Sequence, residues 1–164
     1  IEQKDAEYVY SLRTDPEINV HLSAVVGTVD DQRQWIEDYK EREAADKVYY
    51  YVIERFDGLP CGLVRLYEIE NARFTWGSWI LDRNKPRMGA LESAVLIYQI
   101  GFEILGCSIA EFDVMRGNEH TLAFHRSFGA VETRKDSLNF YFNYEKARFE
   151  ADKPKFLATL RAAR

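Results

Sequence analysis

The sequence predicts a mixed α+β domain, a mostly antiparallel sheet flanked by helices. Three observations carry that expectation. Runs of aromatic and β-branched residues separated by turn signals, Val48 to Phe56, Cys61 to Tyr67 and Phe74 to Leu81, read as a three-stranded antiparallel meander. Segments with apolar residues at helical spacing stand before and after it. The stretch from Phe74 to Ala130 then reads as strand, basic loop, helix, strand and helix in turn.

The elements follow in order. Asp5 to Arg13 places Ala6, Val9, Tyr10 and Leu12 close to helical spacing, and Thr14-Asp15-Pro16 ends that helix. His21 to Gly27 reads as a loop. Thr28 is an N-cap followed by acids in the first turn, Asp30 and Asp31, and the helix runs to about Arg42 with Trp35, Ile36 and Tyr39 on its apolar side. Asp57-Gly58 is the hairpin turn between the first two strands. After Leu81 the chain breaks into Asp82-Arg83-Asn84-Lys85-Pro86-Arg87 and enters a helix through Met88-Gly89-Ala90. Leu91, Val95, Tyr98, Phe102 and Leu105 form one buried stripe of that helix, and Gly106 stops it. Ile109 to Val114 reads as an interior strand. Asn118 to Ala130 is a second helix with Gly129 as C-cap. Val131 to Lys135 and Leu138 to Tyr144 make a last hairpin around Asp136-Ser137, and Glu145 to Arg164 is helical with an interruption near Pro154.

A chain of 164 residues predicts a single domain, 1–164, long enough for a hydrophobic core. Its 46% hydrophobic and 14% aromatic content excludes disorder. A net charge of -5 gives no basic footprint for nucleic acid, so no nucleic-acid partner is expected, yet a local Arg and Lys pocket can still hold an anion. Cys61 and Cys107 lie on different elements without metal-ligand spacing and read as a buried reduced pair. No apolar run approaches the ~18 residues of a membrane span and no signal-peptide pattern opens the chain, so a cytoplasmic protein without a membrane partner is expected. Ile1 is not a start methionine, which leaves room for native residues before it.

Chemistry-bearing patterns are few. Met88-Gly89-Ala90 alone is an ordinary turn, but Arg83, Lys85 and Arg87 crowd the same helix start, where free N–H groups and the helix dipole suit a phosphate. Asn118 and His125 lie seven positions apart, two helical turns, and share a face. A helical histidine is ordinarily a surface or core residue; as a neutral imidazole it also suits proton transfer. There is no Gly-x-Ser-x-Gly elbow, and Cys107 has no nucleophile setting. His21, His120 and His125 form no His-x-x-x-His or Glu-x-x-His unit, so no metal is expected, and no P-loop or paired-glycine dinucleotide fingerprint is present.

The element order and these residues together resemble the GNAT superfamily of acyl-CoA-dependent N-acetyltransferases. Within it the chain is most similar to the branch of ribosomal-protein N-terminal and nucleotide-amino-sugar acetyltransferases. Leu12-Arg13-Thr14-Asp15-Pro16-Glu17, Gln32-Arg33-Gln34-Trp35-Ile36 and Asn118 through Gly129 carry the likeness. It implies a GNAT-like central, mostly antiparallel twisted sheet with a splayed strand pair, flanked by helices, with the family's first strand truncated or lying before Ile1. It also implies acetyl-CoA as acyl donor. The pantetheine arm would lie along Trp79-Ile80-Leu81, and a backbone N–H near Ile80 would polarise the thioester carbonyl.

The family's R/Q-x-x-G-x-G/A pyrophosphate loop falls on Asn84, Arg87, Met88, Gly89 and Ala90, with Asn84 at the Arg/Gln position and Arg87 where glycine is usual. Arg83 or Lys85 is then expected to supply the missing charge. The resemblance gives Asn118 as a cofactor-side asparagine and His125 as the residue that protonates the leaving thiolate, where many members carry tyrosine. Glu68, with Glu70 beside it, is the candidate base for the acceptor ammonium, whose proton must leave before attack. The His21 to Gly27 loop and the hairpin bearing Phe140, Tyr141, Phe142 and Tyr144 would wall the acceptor. The implied reaction is acetyl transfer to a primary amine, on an amino-sugar nucleotide or a protein N-terminus. A non-catalytic acyl-CoA-binding or interaction domain on the same fold is the alternative, and a homodimer is left open.

Overall fold

A computed structural model describes residues 1–21 and 25–163. In chain order the elements are α1 (Ala6–Thr14), α2 (Val29–Ala44), β1 (Tyr49–Glu54), β2 (Pro60–Glu70), β3 (Arg73–Leu81), α3 (Gly89–Gln99), β4 (Ile109–Met115), α4 (Glu119–Phe128), β5 (Val131–Lys135), β6 (Asn139–Glu145) and α5 (Lys146–Ala162). The meander, the helix–strand–helix unit and the last hairpin all stand where the residue pattern places them. Of the expected His21 to Gly27 loop, Leu22 to Ala24 fall outside the described residues. Among the described residues no helix is long and apolar enough to cross a membrane.

The strands form one sheet in the order β1-β2-β3-β4-β6-β5. Neighbours are antiparallel except β3 and β4, which are parallel and register only over Arg73–Thr75 against Ile109–Glu111. Beyond Thr75 the two strands part, while β4 stays registered with β6 from Ile109 to Met115. The splayed pair that the family resemblance implies is therefore present, and it opens a V in the middle of the sheet.

A bulge in β3 shapes one arm of the V. Leu63 faces Ile80 and Arg65 faces Gly77, so Ser78 and Trp79 together oppose Val64, and Ser78 takes a φ of 48°. A strict period of two would put Trp76 and Ile80 on the same face. The extra residue separates them. Trp76 packs in the large aromatic core with Tyr98, Phe102, Phe112 and Tyr144, whereas Ile80 packs with Val9, Leu12, Tyr39 and Tyr50 beneath α1 and α2.

Two helices depart from expectation in detail. After Gln99, α3 continues as one π-helical turn, Ile100–Ile104, before Gly106 ends it at a φ of 72°. The wide turn brings Gly101 against the Phe74 ring, where a Cβ would stand 2.2 Å from Cζ. The expected interruption at Pro154 is absent, and α5 runs through it unbroken. Proline there removes one backbone bond, but Phe149 and Phe156 are buried on either side of it and Lys153 pairs with Glu103 of the π turn. Packing holds the helix across the gap.

Gly101→Ala is expected to destabilise the fold by about 1–3 kcal/mol through this overlap, despite the helix preference for alanine of about 1 kcal/mol. Denaturant unfolding of the purified variant measures it; an unchanged midpoint would show that the Phe74 ring yields without cost.

Candidate active site

The V between β3 and β4 is a cavity of about 330 Å³. Its walls come from both faces of the sheet. Trp76, Trp79, Phe112 and His125 line it on the α3–α4 side, and Arg65, Tyr67 and Asp113 line it on the opposite side. The alternation along β4 explains the division: Phe112 and Val114 enter the aromatic core, so Asp113 between them turns the other way. Ser78, at the bulge, stands in the passage between the two sides.

The predicted site residues do not all converge here. Trp79, Asn118 and His125 line this cavity. Trp79 is braced by its ring contacts with Trp76 and Phe124 and by donation from Nε1 to Ser93 Oγ at 3.1 Å. Ile80 is buried beneath α1 and α2, does not line the cavity, and directs its carbonyl oxygen toward β2. It pairs with Leu63, and beside that residue stands Gly62, where a Cβ would fall 2.3 Å from the Ile80 carbonyl oxygen, so β2 and β3 approach this closely because that side chain is missing. Leu81 is half-buried and pairs with Gly62. Asn118 caps α4, its Oδ1 accepting from the Thr121 N–H at 3.3 Å, which leaves the amide nitrogen as the end able to serve a ligand.

The loop into α3 is organised by a buried acid. Asp82 accepts from the Tyr8 hydroxyl at 2.9 Å and from the Asn84 N–H at 2.7 Å. The Gly89 N–H donates to Pro86 O at 2.9 Å. The Asn84 and Gly89 amides are thus engaged within the loop. The N–H groups one step further on, at Ala90 and Leu91 in the first helical turn, have no carbonyl of their own helix to bond, and no side chain caps this end. Arg83, Lys85 and Arg87 are all exposed around it. Arg87, Met88 and Gly89 line a separate apolar cleft of about 500 Å³ against the β1–β2 hairpin and the end of α5.

His125 lines the cavity from an apolar setting. It is only 3% exposed and lies among rings, with centroids 4.3 Å from Phe112, 5.3 Å from Trp76 and 5.5 Å from Phe124. Burial pushes its pKa down to about 3. Near pH 7 the ring is therefore neutral, the form in which the residue pattern expects it to transfer a proton. A neutral imidazole with an unpartnered buried Nδ1 is what stands there.

Glu68, the expected base, stands outside the cavity lining. It sits on a second bulge, in β2, with a φ of 52°, is exposed, and accepts from Thr75 Oγ1 at 2.8 Å without lining the cavity. The carboxylate that does line it is Asp113, which the sequence reading passed over. Desolvation raises its pKa above the ordinary carboxylate range, the neighbouring Asp136 and Glu68 charges add to the rise, and Arg134 opposes it. The available signal was an acid at the outward position of an otherwise apolar interior strand.

With this geometry in view, the comparisons decide the family. A family model described as "Acetyltransferase (GNAT) domain" matches residues 1–131. The chain belongs to the GNAT acetyltransferase family. The structure of FdhC, described as a nucleotide-linked sugar GNAT, superposes with a TM-score of 0.89 and 38% identity over 96% of this chain and 90% of that one. A spermidine N-acetyltransferase from Vibrio cholerae, in complex with CoA and spermine, has a TM-score of 0.80 at 15% identity over 92% of this chain and 95% of that one. A probable acetyltransferase reaches 0.76 at 21% identity over 90% of each chain. The last two likenesses concern the fold alone. No curated protein matches the chain. As a GNAT acetyltransferase the protein is an enzyme of the N-acetyltransferase class, and acetyl-CoA is the acyl donor of its family. Among the described residues no group of three or more His, Cys, Asp or Glu side chains could hold a metal ion.

The buried histidine makes a pH prediction. Its folded pKa lies below the unfolded value of about 6.5, so the unfolded chain binds the extra proton and stability falls as pH drops from about 6.5 toward 3, by up to about 1.4 kcal/mol per unit. His125→Phe is expected to flatten this part of a melting-temperature profile taken between pH 7 and 4. A variant with the same acid slope as the parent would show that His125 protonates in the folded state.

Proposed function

We propose that the protein transfers an acetyl group from acetyl-CoA to the primary amine of a nucleotide-linked amino sugar. The V between β3 and β4 supports the transfer step: an unpaired strand edge runs along one arm, and Asp113 stands across the gap on the opposite side of the sheet. The β3 edge from Trp76 to Leu81 can pair with the amide groups of a pantetheine arm as an added strand would. Ala90 and Leu91 N–H groups, with the exposed Arg and Lys side chains around them, suit the pyrophosphate, and the Asn118 amide suits the cofactor on the α4 side. The likeness to a nucleotide-linked sugar GNAT at 38% identity supports the acceptor class.

The chemistry then divides among few groups. An alkylammonium has a pKa of ~10.4 and must lose a proton to attack. Asp113, exposed to solvent at the cavity wall, accepts that proton, directly or through a water, and its raised pKa makes it a better base than an unperturbed carboxylate. A β3 N–H beside the bulge, near Ile80, polarises the thioester carbonyl as the amine adds. The departing thiolate resembles cysteine, with a pKa of ~8.5, and takes its proton from the newly acylated nitrogen or from water. Neutral His125 serves as an uncharged wall behind the sulfur, with one ring N–H able to hydrogen-bond it. Buried, free Cys61 and Cys107 fit a reducing compartment such as the cytoplasm.

Release of free CoA, followed with a thiol reagent, tests the reading across nucleotide-linked amino sugars, polyamines and peptide N-termini. Turnover is expected with the first group, and turnover confined to either of the others would overturn the acceptor assignment. Acetyl-CoA at about 100 times its Kd should stabilise the fold by about 2.7 kcal/mol, seen as a rise in melting temperature; no rise would remove the cofactor.

Asp113→Asn is expected to lower kcat by about a hundredfold or more with acetyl-CoA affinity unchanged. The parent's rate should fall on acidification through a pKa above the usual carboxylate range, since the ionised form is the active one, and the variant should lose that limb. A variant turning over at the parental rate would move the base elsewhere.

A further inference from the structure

On the face of the sheet that carries α1 and α2 lies another cavity, of about 470 Å³. It adjoins the V, since Arg65 and Ser78 line both. A molecule with one end beside Asp113 therefore has room to continue past Arg65 into this second space.

The charges in it are unequal. Arg13 from α1 and Arg65 from β2 both line the cavity, and both guanidinium groups lie close enough to the Tyr50 hydroxyl to offset part of the rise that burial imposes on it. Arg65 lies over the Tyr67 ring, 4.3 Å from its centroid, and its Nε is buried without a hydrogen-bond partner. Asp31 is the acid that lines the cavity, and its carboxylate is already engaged, accepting from the Thr28 N–H at 2.7 Å and Thr28 Oγ1 at 2.8 Å. Those bonds hold it below its ordinary pKa, as a fixed cap on α2. At the rim, Trp35 contacts Tyr39 at 4.8 Å and Tyr50 at 6.1 Å between centroids and keeps a partly exposed surface.

Two arginines in a half-buried cleft with a pre-engaged carboxylate make a site for a multiply charged anion. Guanidinium forks match phosphate oxygens in pairs. The same pair disfavours a polyamine, whose cations would meet two like charges. The sequence of groups along the path is carboxylate, gap, arginines and aromatic wall, which matches an acceptor built as amine, sugar ring, diphosphate and base.

We propose that Arg13 and Arg65 form the subsite for the diphosphate of the acceptor, with Trp35 as the surface against which its terminal ring stacks. This rests on the nucleotide-sugar reading above and adds the place where the acceptor's charge is held.

The test uses UDP and dTDP against uridine and thymidine, titrated calorimetrically into protein saturated with CoA so that the cofactor's own nucleotide site is filled. The diphosphates should bind at least about tenfold more tightly than the nucleosides. Arg13→Met and Arg65→Met should each lose about tenfold of the diphosphate affinity while the nucleoside and CoA affinities stay within about twofold. Equal binding of nucleoside and diphosphate to the parent would overturn the subsite, as would diphosphate affinity indifferent to both substitutions. Should Arg65→Met fail to fold, Arg65→Lys and Arg13→Met decide, the lysine retaining charge but losing the paired bonds and so binding the diphosphate more weakly than the parent. Acetylation of a nucleotide-linked sugar by variants with undiminished diphosphate affinity would sink the subsite alone. A polyamine or peptide acceptor would instead sink the functional reading on which it rests.

Discussion

The active-site architecture depends on how short the contact between β3 and β4 is. Three register pairs join them, from Arg73 and Ile109 to Thr75 and Glu111, and then the strands part. Two commitments drive the divergence. β4 is registered along its length with β6, so it follows the curvature of the last hairpin. β3 stays with β2 but carries an extra residue at Ser78, which bends it and increases its twist. Trp76 and Phe112, rings 5.5 Å apart, fill the fork where the strands separate. The aromatic core thus acts as a wedge, and backbone groups that would ordinarily pair are left facing a cavity.

The surroundings of that cavity sort charge by side. Toward α4 the walls are aromatic, and the one titratable ring there, His125, is held neutral by burial. Toward α1 and α2 the groups are ionic: Asp113 with a raised pKa, and Arg13 and Arg65 beyond it. A thioester needs an apolar trough and a few backbone donors, whereas an ammonium and a polyanion need fixed opposite charges. Under the proposed reading the sheet separates these requirements, and the V is where they meet.

Much of this was legible in the residues. Aromatic and β-branched runs located every strand of the meander, the Leu91 to Leu105 stripe located α3, and the Asn118 to Gly129 pattern located α4. A period of two sets Asp113 opposite Phe112 and Val114, but a single chain does not say what lies on that side, so nothing in the residues marks this acid as lining a cavity. The two bulges were invisible for a related reason: Glu68 and Ser78 adopt left-handed backbone without being glycine, and only the pairing across β2 and β3 shows the extra residues. Pro154 misled because local propensity was outweighed by Phe149 and Phe156 packing on either side. The environment of His125 is mostly tertiary, since apart from the adjacent Phe124 its ring neighbours come from β3, β4 and β6.

The hydrogen bond from Tyr8 to Asp82 joins the helix of the proposed acceptor subsite to the turn of the proposed pyrophosphate site. Tyr8 belongs to α1, which also carries Arg13, and Asp82 sets the turn that leads into α3. A shift of α1 as an acceptor settles would pull on the same carboxylate that fixes the Asn84 amide. By thermodynamic reciprocity, occupancy at the α3 end must bias α1 to the same extent. A single carboxylate, with one oxygen turned to Tyr8 and the other to the Asn84 N–H, thus ties α1 to the entry of α3.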